Sequence, residues 1–354
     1  MKTRTAGRWG AVAAISAVLI LALQVSPAGV SSASACVCGV ITPGSDAKAK
    51  VSGTEAIVRW DGNREVIDLA IDIDSDAATA GLVFPTPRPA TVTAGDPDLF
   101  DAVREQAQPD VTVVDDWWGF GVEGESPEQE EPVVLDTVRI GKLTATTLEA
   151  SDTPGLNAWL KRNDYSISNA ARDALRTYVT KGWSFVAVKL TDAPKKGETE
   201  PAALRGALEP VSISFSSSEL VYPMRVSGIS QSPQDLRLYV FDDHRVQLSQ
   251  YDSPSKPVNA AQTTVWAGST ADTELGSLGD FLTVFDLHLD DPKSQSRSDV
   301  VVTDALADEE YLPELVIANP ITILDIPVGL IVVGWGGFGL ILALAFITSR
   351  LRLR

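Results

Sequence analysis

Residues 57–74 read IVRWDGNREVIDLAIDID, and this stretch decides the fold class. The apolar run at 57–60 meets Asp61-Gly62-Asn63. Asp-Gly between apolar runs signals a hairpin, because Gly accepts the positive φ that a tight turn needs. The return run alternates, with Ile67, Leu69, Ile71 and Ile73 on one side and Asp68, Asp72 and Asp74 on the other. A period of two marks a strand with one face buried and one solvated. An antiparallel hairpin is therefore expected over these residues.

Working outward, further strands are expected at 81–84, 185–190, 211–215, 220–226, 236–241, 246–251 and 281–289, separated by Gly, Ser and Pro clusters. A second hairpin is read at 133–148 around Gly141-Lys142. Three helices interrupt this pattern. Asp96-Pro97 opens one that turns Leu99, Phe100 and Val103 inward, and Leu156, Trp159 and Leu160 have the spacing of a second. Ser168 caps a third, with Ala171, Leu175, Tyr178 and Val179 on one face and Gly182 at its end. Residues 123–132, rich in Glu with two prolines, read as an exposed loop. The charged stretch 194–201 is either a break between subdomains or a loop on one domain. The sum is an α+β fold, mostly antiparallel sheet with inserted helices, plus one C-terminal transmembrane helix.

The ends carry the topology. Residues 1–35 read as a signal peptide: Lys2, Arg4 and Arg8, an apolar run at 11–25, then Ala33-Ser34-Ala35. Residues 326–348 hold no charge and are followed by Arg350, Arg352 and Arg354. At 1.5 Å per residue a helix there spans about 30 Å of hydrocarbon with some tilt. The basic tail, 349–354, is then cytoplasmic. The expected organisation is an extracytoplasmic domain at 36–289, a stalk or linker at 290–325 (with 300–302 readable as a strand instead), and a single membrane span. Within that span Gly339 and Ala343 form a small-xxx-small pair suited to packing against a membrane-protein partner.

Charge narrows the partners. Setting aside the six basic residues of the two ends leaves 23 Lys and Arg against 47 Asp and Glu, a net of about −24. Such a surface disfavours nucleic acid and anionic lipid. The two cysteines, Cys36 and Cys38, stand at the expected mature N-terminus in an oxidising compartment. Three fates stay open: a bridge to each other, a bond to a partner, or a lipid on Cys36.

Other candidate sites each have a plainer reading. Asp72, Asp74 and Asp76 suggest calcium, but the sixth and twelfth loop positions are Ala77 and Val83 rather than the Gly and Glu of an EF-hand. Trp117, Trp118 and Phe120 form a candidate ligand platform or a set of core anchors. His244 and His288 are isolated from each other, and His288 faces outward in a strand where Phe285, Leu287 and Leu289 alternate. Arg225 is the strongest single charged candidate, with a structural ion pair as its plain reading. No hydrolase, zinc, dinucleotide or phosphate-loop motif is present, and no cofactor is implied.

A resemblance adds to this. A Cys-containing mature start, GLVFPTP at 81–87, DLF at 98–100, LNAWL at 156–160, YVTKGWSFVAVK at 178–189 and LVYPMR at 220–225 follow in order. This series, across about residues 36–250, resembles the bacterial family catalogued as domain of unknown function 2330. The resemblance implies a secreted or surface-anchored bacterial protein and assigns no catalytic residue. The Cys-x-Cys spacing is narrower than the resemblance implies. The expected function is a non-enzymatic binding or scaffold domain tethered to the cell membrane. The alternative is an envelope hydrolase using paired carboxylates in a cleft.

Overall fold

The structure is a computed structural model. It describes residues 34–36, 39–43, 49–75, 79–116, 144–150, 152–163, 165, 167–191, 205–258, 261–323, 326–328, 330–331 and 333. Its centre is an eight-stranded sheet. Its strands are, in chain order, β1 (Ala49–Trp60), β2 (Arg64–Ser75), β3 (Ala90–Ala94), β4 (Arg205–Ala207), β5 (Val211–Ser216), β6 (Gln234–Asp242), β7 (Ala261–Ser269) and β8 (Phe281–Leu289). The order across the sheet is β7-β8-β6-β1-β2-β5-β3, with β4 also pairing β2. Every pairing is antiparallel except β6 with β1.

The β1–β2 hairpin forms where its sequence directs. Gly62 adopts φ +90°, and the Asp61 carboxylate accepts from the backbone N–H groups of Asn63 and Arg64 at 3.0 and 2.8 Å. Ile67, Leu69, Ile71 and Ile73 are buried on one face, as the alternation requires. That face forms the main core. It packs on Leu82, Phe84, Val186 and Val188 of a five-stranded sheet, and on Val246, Leu248, Val300 and Val302 of a four-stranded one. Val300–Asp304, within the stretch read as a stalk or strand, is a strand of that four-stranded sheet.

The helices lie outside these sheets. Helix α1 (Pro97–Gln106) is capped by Asp96 and buries Phe100 and Val103 against Ile57, Tyr239, Phe241 and Val284 on the other face of the large sheet. Burial of each such side chain contributes about 1.5–3 kcal/mol. Helices α2 (Thr153–Arg162) and α3 (Asn169–Thr180) cover the far side of the five-stranded sheet through Leu156, Leu160, Leu175 and Tyr178. Ser168 caps α3, and Gly182 follows it at φ +72°. The molecule is thus layered: one helix, the large sheet, two smaller sheets, two helices.

Two features correct the expected fold class. The architecture is mostly β, with several sheets and only short helices, rather than α+β with a transmembrane helix. Among the described residues no helix is long and apolar enough to cross a membrane. Ile326–Pro327, where the expected helix begins, is a strand paired with Thr322–Ile323. The physical reason is that hydropathy measures apolarity and not backbone conformation. Val328, Leu330, Ile331 and Val333 beyond it are helical, but these few described residues make no helix of membrane-spanning length. Gly339 and Ala343 lie outside the described residues.

Candidate functional site

Helix α1 covers only one part of the face of the large sheet that it packs on. Beside it the same face is hollowed into a groove of about 640 Å³. Strand register sets its walls. One row across the sheet runs Thr263 (β7), Asp286 (β8), Arg237 (β6), Glu55 (β1) and Ala70 (β2). Side chains two residues apart on a strand share a face. The next row therefore holds His288 opposite Asp235, then Gly53 opposite Asp72, and Ala207 beyond it. All of these line the groove, and the floor is shallow because Gly53, Ala70 and Ala207 project little.

The cations of the groove are held by carboxylates. Arg237 donates Nε and Nη2 to the two oxygens of Asp286, both at 2.7 Å, a bidentate pair. This bond raises the Arg237 pKa further above its ordinary value. Arg104, in the last turn of α1, donates Nε to Glu55 Oε2 at 3.0 Å and Nη1 to Asp101 Oδ1 at 2.6 Å. Burial pulls its pKa down, but the Glu55 pairing outweighs this and the pKa rises. The Tyr239 hydroxyl donates to Glu55 Oε1 at 3.4 Å. His288 places Nδ1 on Asp235 and Nε2 on Asp290 Oδ1 at 3.0 Å. Both ring nitrogens can donate only in the imidazolium, and the Asp235 bond raises the pKa accordingly. The result is a ladder of opposite charges across the sheet, an arrangement that can pair with a polar ligand in a set orientation.

A second cluster gathers the motifs of the resemblance. Asp299 is buried, with 0% of its side chain exposed. Its Oδ1 accepts from the Tyr178 hydroxyl at 2.5 Å and from the Arg225 backbone N–H at 3.0 Å. Its Oδ2 makes no hydrogen bond and stands 3.8 Å from Lys181 Nζ and 3.9 Å from Arg225 Nε. Lys181 also pairs with Asp252 at 3.1 Å and lies 4.6 Å from the Tyr251 ring centroid, and Arg225 pairs with Asp252 as well. Burial raises the Asp299 pKa and pushes Tyr178 well above its ordinary value. This node ties the end of α3, the turn Arg225–Ile229 and the start of Val300–Asp304 together. Arg225 thus has the ion-pair role of its plain reading.

The other expected sites resolve as follows. Asp72 lines the groove, Asp74 lies opposite Arg205, and Asp76 is outside the described residues. Asp72 and Asp74 sit on an extended strand, about 6–7 Å apart along it. They do not converge as calcium ligands at 2.3–2.6 Å must. Among the described residues no group of three His, Cys, Asp or Glu could hold a metal. Cys36 is in a short strand, while Cys38, Trp117, Trp118 and Phe120 are outside the described residues. His244 pairs with Asp308 at 2.9 Å, and His288 has its own partners in the groove. Sequence reasoning missed Glu55, Asp235, Arg237 and Asp286. For the last three the signal was alternation with Leu236, Leu238, Phe285 and Leu287, but the neighbour of each strand was not readable; Glu55 precedes the run read at 57–60 and carried no such signal.

Comparison with known proteins adds the family. No curated protein matches the chain. A solved structure, the crystal structure of baculovirus P35, is 15% identical with a TM-score of 0.33, covering 77% of this chain and 98% of that one, too loose a likeness to define a common fold. The family model for domain of unknown function 2330, described as an uncharacterized protein conserved in bacteria, matches residues 32–303. The match spans most of both smaller sheets and the whole large sheet, groove included, and the chain belongs to this family.

Proposed function

We propose that the protein is a non-enzymatic binding domain of the bacterial cell envelope that takes its ligand in the groove beside α1. The envelope location rests on the signal-like residues 1–35. One observation carries the binding reading: the uncovered part of a sheet face forms a groove of about 640 Å³ whose charged walls are already fixed by mutual ion pairs. Walls set before the ligand arrives reduce the ordering cost of association. The same pairing argues against the hydrolase alternative, because Glu55, Asp235 and Asp286 are engaged by cations rather than free as an acid–base pair.

Gly53→Leu tests this reading. A Cβ at Gly53 meets no atom within 4 Å, and no positive φ is needed there, so a side chain fills the groove without strain. The native chain is screened against a chemically diverse small-molecule library by protein-observed NMR. Ligands that shift groove amides are expected to lose binding in Gly53→Leu while the fold persists. Ligands that bind elsewhere, or equally well to the variant, sink the reading.

A further inference from the structure

The groove is not electrically balanced, and the imbalance has an address. Glu55 is engaged by Arg104, Asp286 by Arg237 and Asp235 by His288. Asp72 is the groove carboxylate with no hydrogen-bond or ion-pair partner among the described residues. It is half-buried, so water does not fully solvate it. Its two cross-strand neighbours are Gly53 and Ala207, the smallest residues of the floor. Between Asp72 and Asp235 stands only β1 with Gly53, so two strand spacings open a slot about 10 Å wide between carboxylates.

We infer that Asp72 anchors a cation subsite, and that the ligand of the groove presents an alkylammonium or guanidinium group on a slender chain. This deepens the binding reading above and rests on it. An anionic ligand finds Arg104 and Arg237 already doubly engaged. A metal ion finds too few free oxygens, since calcium takes six to eight. An ammonium needs one carboxylate and room for its stem, and the floor at Gly53, Ala70 and Ala207 supplies that room. Bonding to a charged group makes the contact about twice as strong as a neutral one. The group could arrive on a free polyamine or on a Lys or Arg side chain of a polypeptide, and these share the same chemistry at Asp72.

The test titrates the full chain with spermidine, with a capped trilysine peptide and with a neutral capped triglycine, followed by calorimetry and amide shifts. At least one amine probe is expected to bind, with shifts centred on Gly53, Asp72 and Ala207, and triglycine to bind at least tenfold more weakly. Asp72→Asn is expected to weaken the amine by about tenfold or more. Asp173→Asn, on α3 and far along the chain from the groove, serves as the charge control and leaves affinity unchanged. Binding of spermidine alone or trilysine alone identifies the source of the cation. Amine binding that Asp72→Asn leaves intact, or shifts that fall elsewhere on this acidic surface, overturn the inference. If Asp72→Asn fails to fold, the amine must instead be lost in Gly53→Leu, and its retention there overturns the inference. If no amine binds while other ligands shift groove amides, the cation subsite fails and the groove reading stands. If nothing shifts those amides, both fail.

Discussion

The groove and the Asp299 node are built from the same chemistry, Arg or Lys against Asp, yet they sit at opposite ends of the burial scale. In the groove, the side chains of Arg237 and Asp286 are 45% and 41% exposed. In the node, Asp299 is 0% exposed, and Lys181 and Arg225 approach its Oδ2 only to 3.8 and 3.9 Å. Exposed pairs contribute about 0–1 kcal/mol because water screens them. A buried charge is expensive to desolvate, so its partners cannot be removed without large loss. The groove pairs therefore contribute little to stability, and under the proposed binding function their arrangement serves to present charge to a ligand. The node is structural, joining segments 178–189 and 220–225 to residue 299 inside the domain.

Asp299→Ala is the strongest way to break this comparison. It leaves the Tyr178 hydroxyl and the Arg225 backbone N–H without their acceptor in a closed interior. The expected loss is about 3 kcal/mol or more, read as a lower urea midpoint at unchanged slope. A loss below about 1 kcal/mol would place the node with the exposed pairs. Arg237→Gln sharpens the other side. It removes the bidentate pair with Asp286, and the expected loss is under about 1 kcal/mol, shrinking further as salt is added. A salt-insensitive loss of several kcal/mol would show that the ladder holds the sheet together.

What could be read from sequence follows the range of the physics involved. The β1–β2 hairpin, the Asp96 and Ser168 caps and the Gly182 stop are local, decided by φ preferences, side-chain reach and alternation within a few residues. The outward position of His288 was readable for the same reason. Its meeting with Asp235 was not, because the placing of β8 beside β6, and of β6 parallel to β1, is settled by packing across the whole domain. Asp299 was hidden differently. In the run SQSRSD it reads as one more solvated polar residue, and only the fold shows it buried. The segment from 326 onward misleads because hydropathy reads apolarity and not where a helix begins: Ile326–Pro327 is a strand, and among the described residues helix starts only at Val328.

The smallest expected effect separates the two regions by cause rather than by size. Both Asp299 and His288 have raised pKa values, so the folded state holds their protons more tightly than the unfolded chain does. In both cases the contribution to stability is fully present below the unfolded pKa and fades as pH rises through the folded one. The windows differ. For Asp299 it opens at the ordinary carboxyl value of 3.8, and the cause is burial. For His288 it opens at 6.5, and the cause is the Asp235 bond in an exposed position. His288→Gln is therefore expected to flatten a shallow decline in stability above about 6.5 and to leave the acid range unchanged. Salt should flatten the native decline in the same way, since the pair that raises His288 is screened. If the decline in the native chain persists in high salt, His288 is more enclosed than its exposure implies. The groove would then share the character of the node, and the division of labour between them would fall.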